Sequence, residues 1–202
     1  MSSGRNLTSS FFAPLMGRTT TFLAESREVN LALASVLMGQ IAASGCTCAI
    51  LDLDALYSCN SGRIFRSVGK EALDGIVTRV PQPGTDLEAE IAGLFAVQQD
   101  IVIVDSLNSL YHMLAQEDAS SRGRKLAFAI SGLSYFARTN AKSVILSMYR
   151  REGLLRGAQS RPISGLTDNT VTVEPKGPEM IFLNERGQRW PEGRFSIRTP
   201  SG

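Results

Sequence analysis

Apolar residues along this chain fall into short unbroken runs, separated by longer stretches in which they recur every three or four positions. Thr19 to Leu23 (TTTFL) is β-branched and aromatic, which favours a buried strand, and Val29 to Ser44 continues with helix-forming residues closed by Gly45. Cys46 to Leu53 (CTCAILDL) is an apolar run too short for a helix and ends in carboxylates, so it predicts a second buried strand. A helix start is expected over Asn60 to Val68, and a third strand over Gly75 to Val80, just before the turn residues Pro81 to Gly84. Asp86 to Gln99 spaces Leu87, Ile91, Leu94 and Phe95 at helical intervals behind an acidic first turn.

Ile101 to Val104 (IVIV) is the most apolar strand of the chain and runs directly into Asp105-Ser106. Lys125 to Thr139 has helical periodicity and leads into another strand, Ser143 to Met148. Past Arg161 the texture changes. Thr170 to Glu174, Met180 to Asn184 and Arg194 to Arg198 predict short strands between prolines and glycines, an antiparallel meander. Strands that are continuously apolar and alternate with helices need both faces covered, so the chain predicts an α/β fold of three layers: a mostly parallel sheet, helices on both faces and a C-terminal antiparallel β meander. The 202 residues suit one domain spanning 1–202, with 1–10 expected to be flexible and 162–202 to form the meander.

Composition narrows the class. Hydrophobic residues at 43% and charged residues at 20% are those of a chain with a packed core, which excludes a disordered tail or linker. The longest apolar stretch, Val29 to Ala43, is interrupted by Asn30, Ser35 and Gln40 and falls short of the roughly 20 residues of a membrane span, so no membrane partner is expected. The polar start of the chain shows no secretory signal, which points to a cytosolic, nuclear or nucleoid-associated protein. Cys46, Cys48 and Cys59 are expected to be reduced, buried thiols, and together with His112 they do not make a metal-ligand set.

The net charge of +2 conceals a segregation. Residues 51–118 hold 11 Asp and Glu against 4 Lys and Arg, a net of −7, while residues 119–161 hold 9 Lys and Arg against Glu152, a net of +8. Such polarity suits an anionic partner on one side or a basic one on the other.

The order of segments, the lead-in Ser10 to Gly17 and the run Ile101-Val102-Ile103-Val104-Asp105-Ser106 resemble the core of the RecA/RadA recombinase superfamily, and the resemblance spans about Phe11 to Arg198. In that family the first strand opens a phosphate-binding loop, G-x-x-x-x-G-K-[ST], whose amides, lysine and hydroxyl hold the triphosphate and magnesium. Here the same place reads Ala24-Glu25-Ser26-Arg27-Glu28-Val29-Asn30, with no glycine, no lysine and two carboxylates. The resemblance makes Asp105 and Ser106 Walker-B-like, where the aspartate would orient magnesium; the alternative is a buried strand ending in an aspartate that caps the next helix. Asp52 and Asp54 fall near the family's water-activating carboxylate, and Ser147-Met148-Tyr149 replaces its usual phosphate-sensing polar residue.

Two loops of the family line a DNA channel. Their counterparts here are 115–125, with Arg122, Arg124 and Lys125, and 149–161, with Tyr149, Arg150, Arg151, Arg156 and Arg161. Arginines contact phosphates without reading sequence, and an aromatic ring among them stacks on a base, so the resemblance implies DNA, in particular single-stranded DNA. The other reading of these arginines is a solvated face or a pairing with a partner's carboxylates. Trp190, Phe11 and Phe12 read as packing anchors. Three functions follow as expectations. The first is a non-catalytic recombinase paralogue in DNA recombination or repair, without ATPase activity or a cofactor, working as a homo-oligomer or with a recombinase-family protein. The second is a RecA-like ring or assembly subunit similar to the Elongator accessory subunits. The third is an enzyme with a degenerate ATP site, in which the amides near Ser26 and Arg27 still hold an anion.

Overall fold

The computed structural model describes residues 11–66, 68–82, 84–113, 118–149, 165–177, 179–184, 190 and 195–196. A short 3-10 turn, Ala13–Leu15, leads into β1 (Thr19–Ala24), α1 (Arg27–Ser44) and β2 (Cys48–Asp52). Short helices α2 (Leu56–Cys59), α3 (Ser61–Ile64) and α4 (Lys70–Leu73) precede β3 (Ile76–Arg79) and α5 (Leu87–Leu94). Then come β4 (Ile101–Asp105), α6 (Leu107–Met113), α7 (Ala119–Asn140) and β5 (Ser143–Tyr149), followed by β6 (Asn169–Lys176), β7 (Glu179–Asn184) and β8 (Phe195–Ser196).

These strands form one sheet in the order β3-β2-β4-β5-β1-β6-β7-β8. The first six run parallel, and β7 and β8 are added antiparallel, so the expected terminal meander is attached through β6 to the flank of β1. That attachment is reinforced by Asp168, whose carboxylate accepts the Thr19 N–H at 2.9 Å while its own N–H donates to the Thr19 carbonyl at 2.8 Å.

Alternation along the strands sorts the core into two layers. Ile101 and Ile103 of β4 face α1 and the short helices, while Val102 and Val104 face α5, α6 and α7. The four apolar side chains of β4, Ile101 to Val104, are fully buried, and each contributes roughly 1.5–3 kcal/mol by leaving water. The first layer also holds an aromatic cluster. Phe22 lies 5.8 Å from Phe182, 6.3 Å from Phe11 and 6.3 Å from Trp190, so the lead-in, β1 and β7 meet there as packing anchors.

Helix ends follow local chemistry. The Ser26 hydroxyl accepts the Val29 N–H at the start of α1, and Gly45 stops the helix with φ of 65°, a backbone state that favours glycine. The helix expected over 86–99 ends at Leu94, because the chain tightens into i→i+3 bonds: Phe95 N–H to Ala92, Ala96 N–H to Gly93 and Val97 N–H to Leu94. α7 begins six residues earlier than the periodicity from Lys125 indicates, since Asp118 accepts the Ser121 N–H and starts the helix. The helix start expected over 60–68 is the single turn α3, and another single turn, α2, precedes it. Cys46 and Cys48 are buried as expected, but Cys59 is exposed, because the end of α2 turns it to solvent.

Candidate functional site at the carboxyl ends of the strands

Crossing connections place the carboxyl ends of β1, β2, β4 and β5 around the N-terminus of α1, the place where open α/β sheets gather ligands. The turn that enters α1 is only Glu25 and Ser26. Ser26 spends its hydroxyl oxygen on the Val29 N–H at 3.2 Å, and its carbonyl accepts the Asn30 N–H at 3.0 Å. Glu28 sits over the same end of the helix. Its carboxyl is held below the usual range first by its own backbone N–H, then by the Ser26 hydroxyl, with Arg27 adding to the effect.

Behind this turn lies a buried polar cluster on the α1 side of the sheet. Asp52 and Asp105 are paired in register on β2 and β4. Asp105 Oδ1 accepts a hydrogen bond from Asn30 Nδ2 of α1 at 2.9 Å and another from the Ser147 hydroxyl of β5. Asp52 Oδ2 accepts from the Ser58 N–H and hydroxyl at 2.9 and 2.8 Å. The remaining oxygens, Asp52 Oδ1 and Asp105 Oδ2, are buried without a hydrogen-bond partner among the described residues.

Burial pushes the Asp105 carboxyl up to about 6; the bonds from Ser147 and Asn30 oppose this, and the nearby Asp54 and Asp52 add to it. Tyr57 closes the cluster from α2, and burial pushes its phenol well up, with Asp105, Cys48 and Asp52 acting in the same direction.

Asp54, just past β2, ties that strand to the start of α6. Its carboxylate accepts the Ser106 hydroxyl at 2.8 Å and also the Ser109 hydroxyl. The Asp105–Ser106 peptide is cis. The cap of α6 is Ser106, whose hydroxyl oxygen accepts the Ser109 N–H at 3.3 Å; the expectation that Asp105 caps this helix is corrected, because its carboxylate turns back toward α1 and β5. Among the described residues no group of three or more His, Cys, Asp or Glu side chains is placed to hold a metal ion. No helix among them is long and apolar enough to cross a membrane.

The residues marked for DNA divide. Arg122, Arg124 and Lys125 stand on α7 rather than in a loop, because Asp118 nucleates the helix ahead of them. The Arg122 guanidinium lies 5.1 Å from the centre of the Tyr111 ring, Lys125 pairs with Glu88 at 3.0 Å, and Arg124 is exposed. Tyr149 ends β5 half-buried, and its backbone is held on both sides by the Asn108 amide, which accepts its N–H at 3.1 Å and donates to its carbonyl at 3.0 Å. Arg150, Arg151, Arg156 and Arg161 lie outside the described residues.

Asn108 and Tyr111 are both on α6, one turn apart, so this helix brings the start of α7 and the end of β5 to one place. Nothing in the sequence marks Asn108 or Tyr111, and Asn30 and Ser147 stand out there without a partner. A signal existed for Asn30: a carboxamide interrupting the longest apolar stretch of the chain needs a buried partner.

No protein-family model matches the chain, and no curated protein matches it in sequence. Among solved structures it is similar to a crystal structure of the RadB recombinase, with a TM-score of 0.61 and 20% sequence identity over 91% of this chain and 88% of that one. The fold is therefore RecA/RadA-like; at that identity the likeness speaks for architecture alone.

Proposed function

We propose that this chain is a recombinase paralogue that acts in DNA recombination or repair by binding DNA and a protein partner, and that it does not hydrolyse ATP by itself. The observation that carries the second part is the 2.9 Å bond from Asn30 to Asp105. In the resemblance the Walker-B-like aspartate serves a hydrated magnesium ion. Here a neutral carboxamide from the first turn of α1 reaches that carboxylate, and a serine hydroxyl takes the same oxygen.

The residues at the turn do not suit a triphosphate. Glu28 lies over the amides a phosphate would use, Ser26 has committed its oxygens to the helix start, and no lysine stands between β1 and α1. Calorimetric titration with magnesium ATP is expected to give no binding heat. Micromolar affinity would overturn this half of the reading.

DNA binding is supported by the +8 segment and by α6, which joins the described parts of the two basic regions. Binding of a labelled oligothymidine is expected to weaken steeply with salt. The Arg150→Ala, Arg151→Ala, Arg156→Ala triple variant is expected to lower the slope of log affinity against log salt by about 2, three phosphate contacts being lost. An unchanged slope and affinity would count against DNA binding through this segment.

A further inference from the structure

The two ladders that hold β5 end at different heights. With β1 the pairing runs as far as Tyr149, opposite Ala24; with β4 it stops at Leu146, opposite Val104, and β4 gives way to α6 after Asp105. Beyond that point a side chain stands in for the missing strand. Asn108 of α6 accepts the Tyr149 N–H on Oδ1 at 3.1 Å and donates from Nδ2 to the Tyr149 carbonyl at 3.0 Å. A carboxamide offers a donor and an acceptor side by side, as a peptide group does, so it continues the ladder where no backbone remains. Asn108 is buried, and an apolar residue of the same size would pack α6 against β5 without meeting either group of Tyr149.

The helix that carries Asn108 is itself fixed. Asp54 accepts the Ser106 and Ser109 hydroxyls at its start, and one turn past Asn108 the Tyr111 ring lies 5.1 Å from the Arg122 guanidinium of α7. Along the chain, Arg150 and Arg151 follow Tyr149 directly. Thus α6 holds a cation of one basic region through a ring and the residue that leads into the other through an amide.

We propose that Asn108 is a positioning residue for single-stranded DNA: by keeping Tyr149 in line with β5 it fixes the point from which the second basic segment continues, relative to Arg122, so that cations of both regions meet one strand. This role rests on the DNA-binding function proposed for the chain. It lowers the ordering cost of binding, which is otherwise met when the strand arrives.

The test uses the full chain and labelled oligothymidine at low salt, with affinity read by fluorescence anisotropy below the melting transition of every variant. Asn108→Leu removes both bonds at like size, and Asn108→Ser, whose hydroxyl stops one bond short of both groups, is a second variant should the first fail to fold. Each is expected to bind about tenfold more weakly than the parent. In the Arg150→Ala, Arg151→Ala, Arg156→Ala background the same substitution is expected to change affinity by less than about twofold, because Asn108 acts through those arginines. An equal loss in both backgrounds assigns Asn108 to the fold alone and overturns the proposal. Undiminished binding by the Asn108 variants, with a loss in the arginine variant, overturns the positioning role and leaves DNA binding through the segment standing. No binding of oligothymidine by the parent overturns both together.

Discussion

Asp105→Asn is expected to raise the unfolding free energy at neutral pH by about 2 to 3 kcal/mol and to flatten the dependence of stability on acidity. The Asp105 carboxyl stands at about 6 in the folded chain, against an ordinary value of 3.8. The folded state thus holds this proton more tightly than the unfolded state does. The contribution of the group is most favourable below about pH 4 and is lost as pH rises toward and through about pH 6, a change of about 3 kcal/mol for this fully buried residue.

Asparagine keeps the oxygen that Asn30 and Ser147 address and never ionises. Its amide nitrogen replaces the oxygen that lacks a partner among the described residues, on the residue paired in register with Asp52, whose Oδ1 also lacks one among them. Urea denaturation at mildly acidic and neutral pH checks this. The variant should exceed the parent only at the higher pH; a variant less stable than the parent at neutral pH would mean that the ionised carboxylate is favoured.

Phe22→Ala is expected to cost about 4 kcal/mol, within the range for removing a large aromatic side chain from a packed core. Phe22 is fully buried, and three rings from distant parts of the chain close on it: Phe11, Phe182 and Trp190. None of these can fill the space without leaving the others. The loss should appear as a lower urea midpoint with the slope unchanged, and Phe22→Leu should recover most of it. A cost below about 1 kcal/mol for the alanine variant would show that the cluster relaxes and does not anchor β1.

Much of this architecture was readable from one chain because its interior strands are short runs without a solvent-facing polar side. The runs at 48–51 and 101–104 are apolar on both faces and the threonines of 19–21 are β-branched, so all three read as interior strands, and the longer stretches between them had to be helices or turns. Boundaries set by single side chains were less visible. Asp118 begins α7 through its carboxylate, and nothing in the hydrophobic period from Lys125 onward announces it.

The site was legible only in part. Asp105 stood out at the end of an apolar run, but its partners, Asn30 and Ser147, are 75 and 42 residues away in sequence, and only the pairing of β5 with β4 and the packing of α1 on that face of the sheet unite them. The same holds for Tyr111 and Asn108, which looked like ordinary helix residues until the sheet brought the chain segments they hold alongside α6. The exposed rings of α7 are hidden in the sequence for the opposite reason, since Phe128 and Tyr135 count as apolar residues whichever side of the helix they occupy.

The place of β1 in the sheet has an implication for how the chain comes to be folded. This strand is bordered by β5 on one side and β6 on the other, and its Thr19 is bonded to Asp168, 149 residues later. As the protein leaves the ribosome, β1 emerges before both of its neighbours, stays unpaired until β5 follows and half-paired until β6 does. A nascent chain arrested before residue 168 would carry a bare, apolar strand edge open to chaperones or to another such chain.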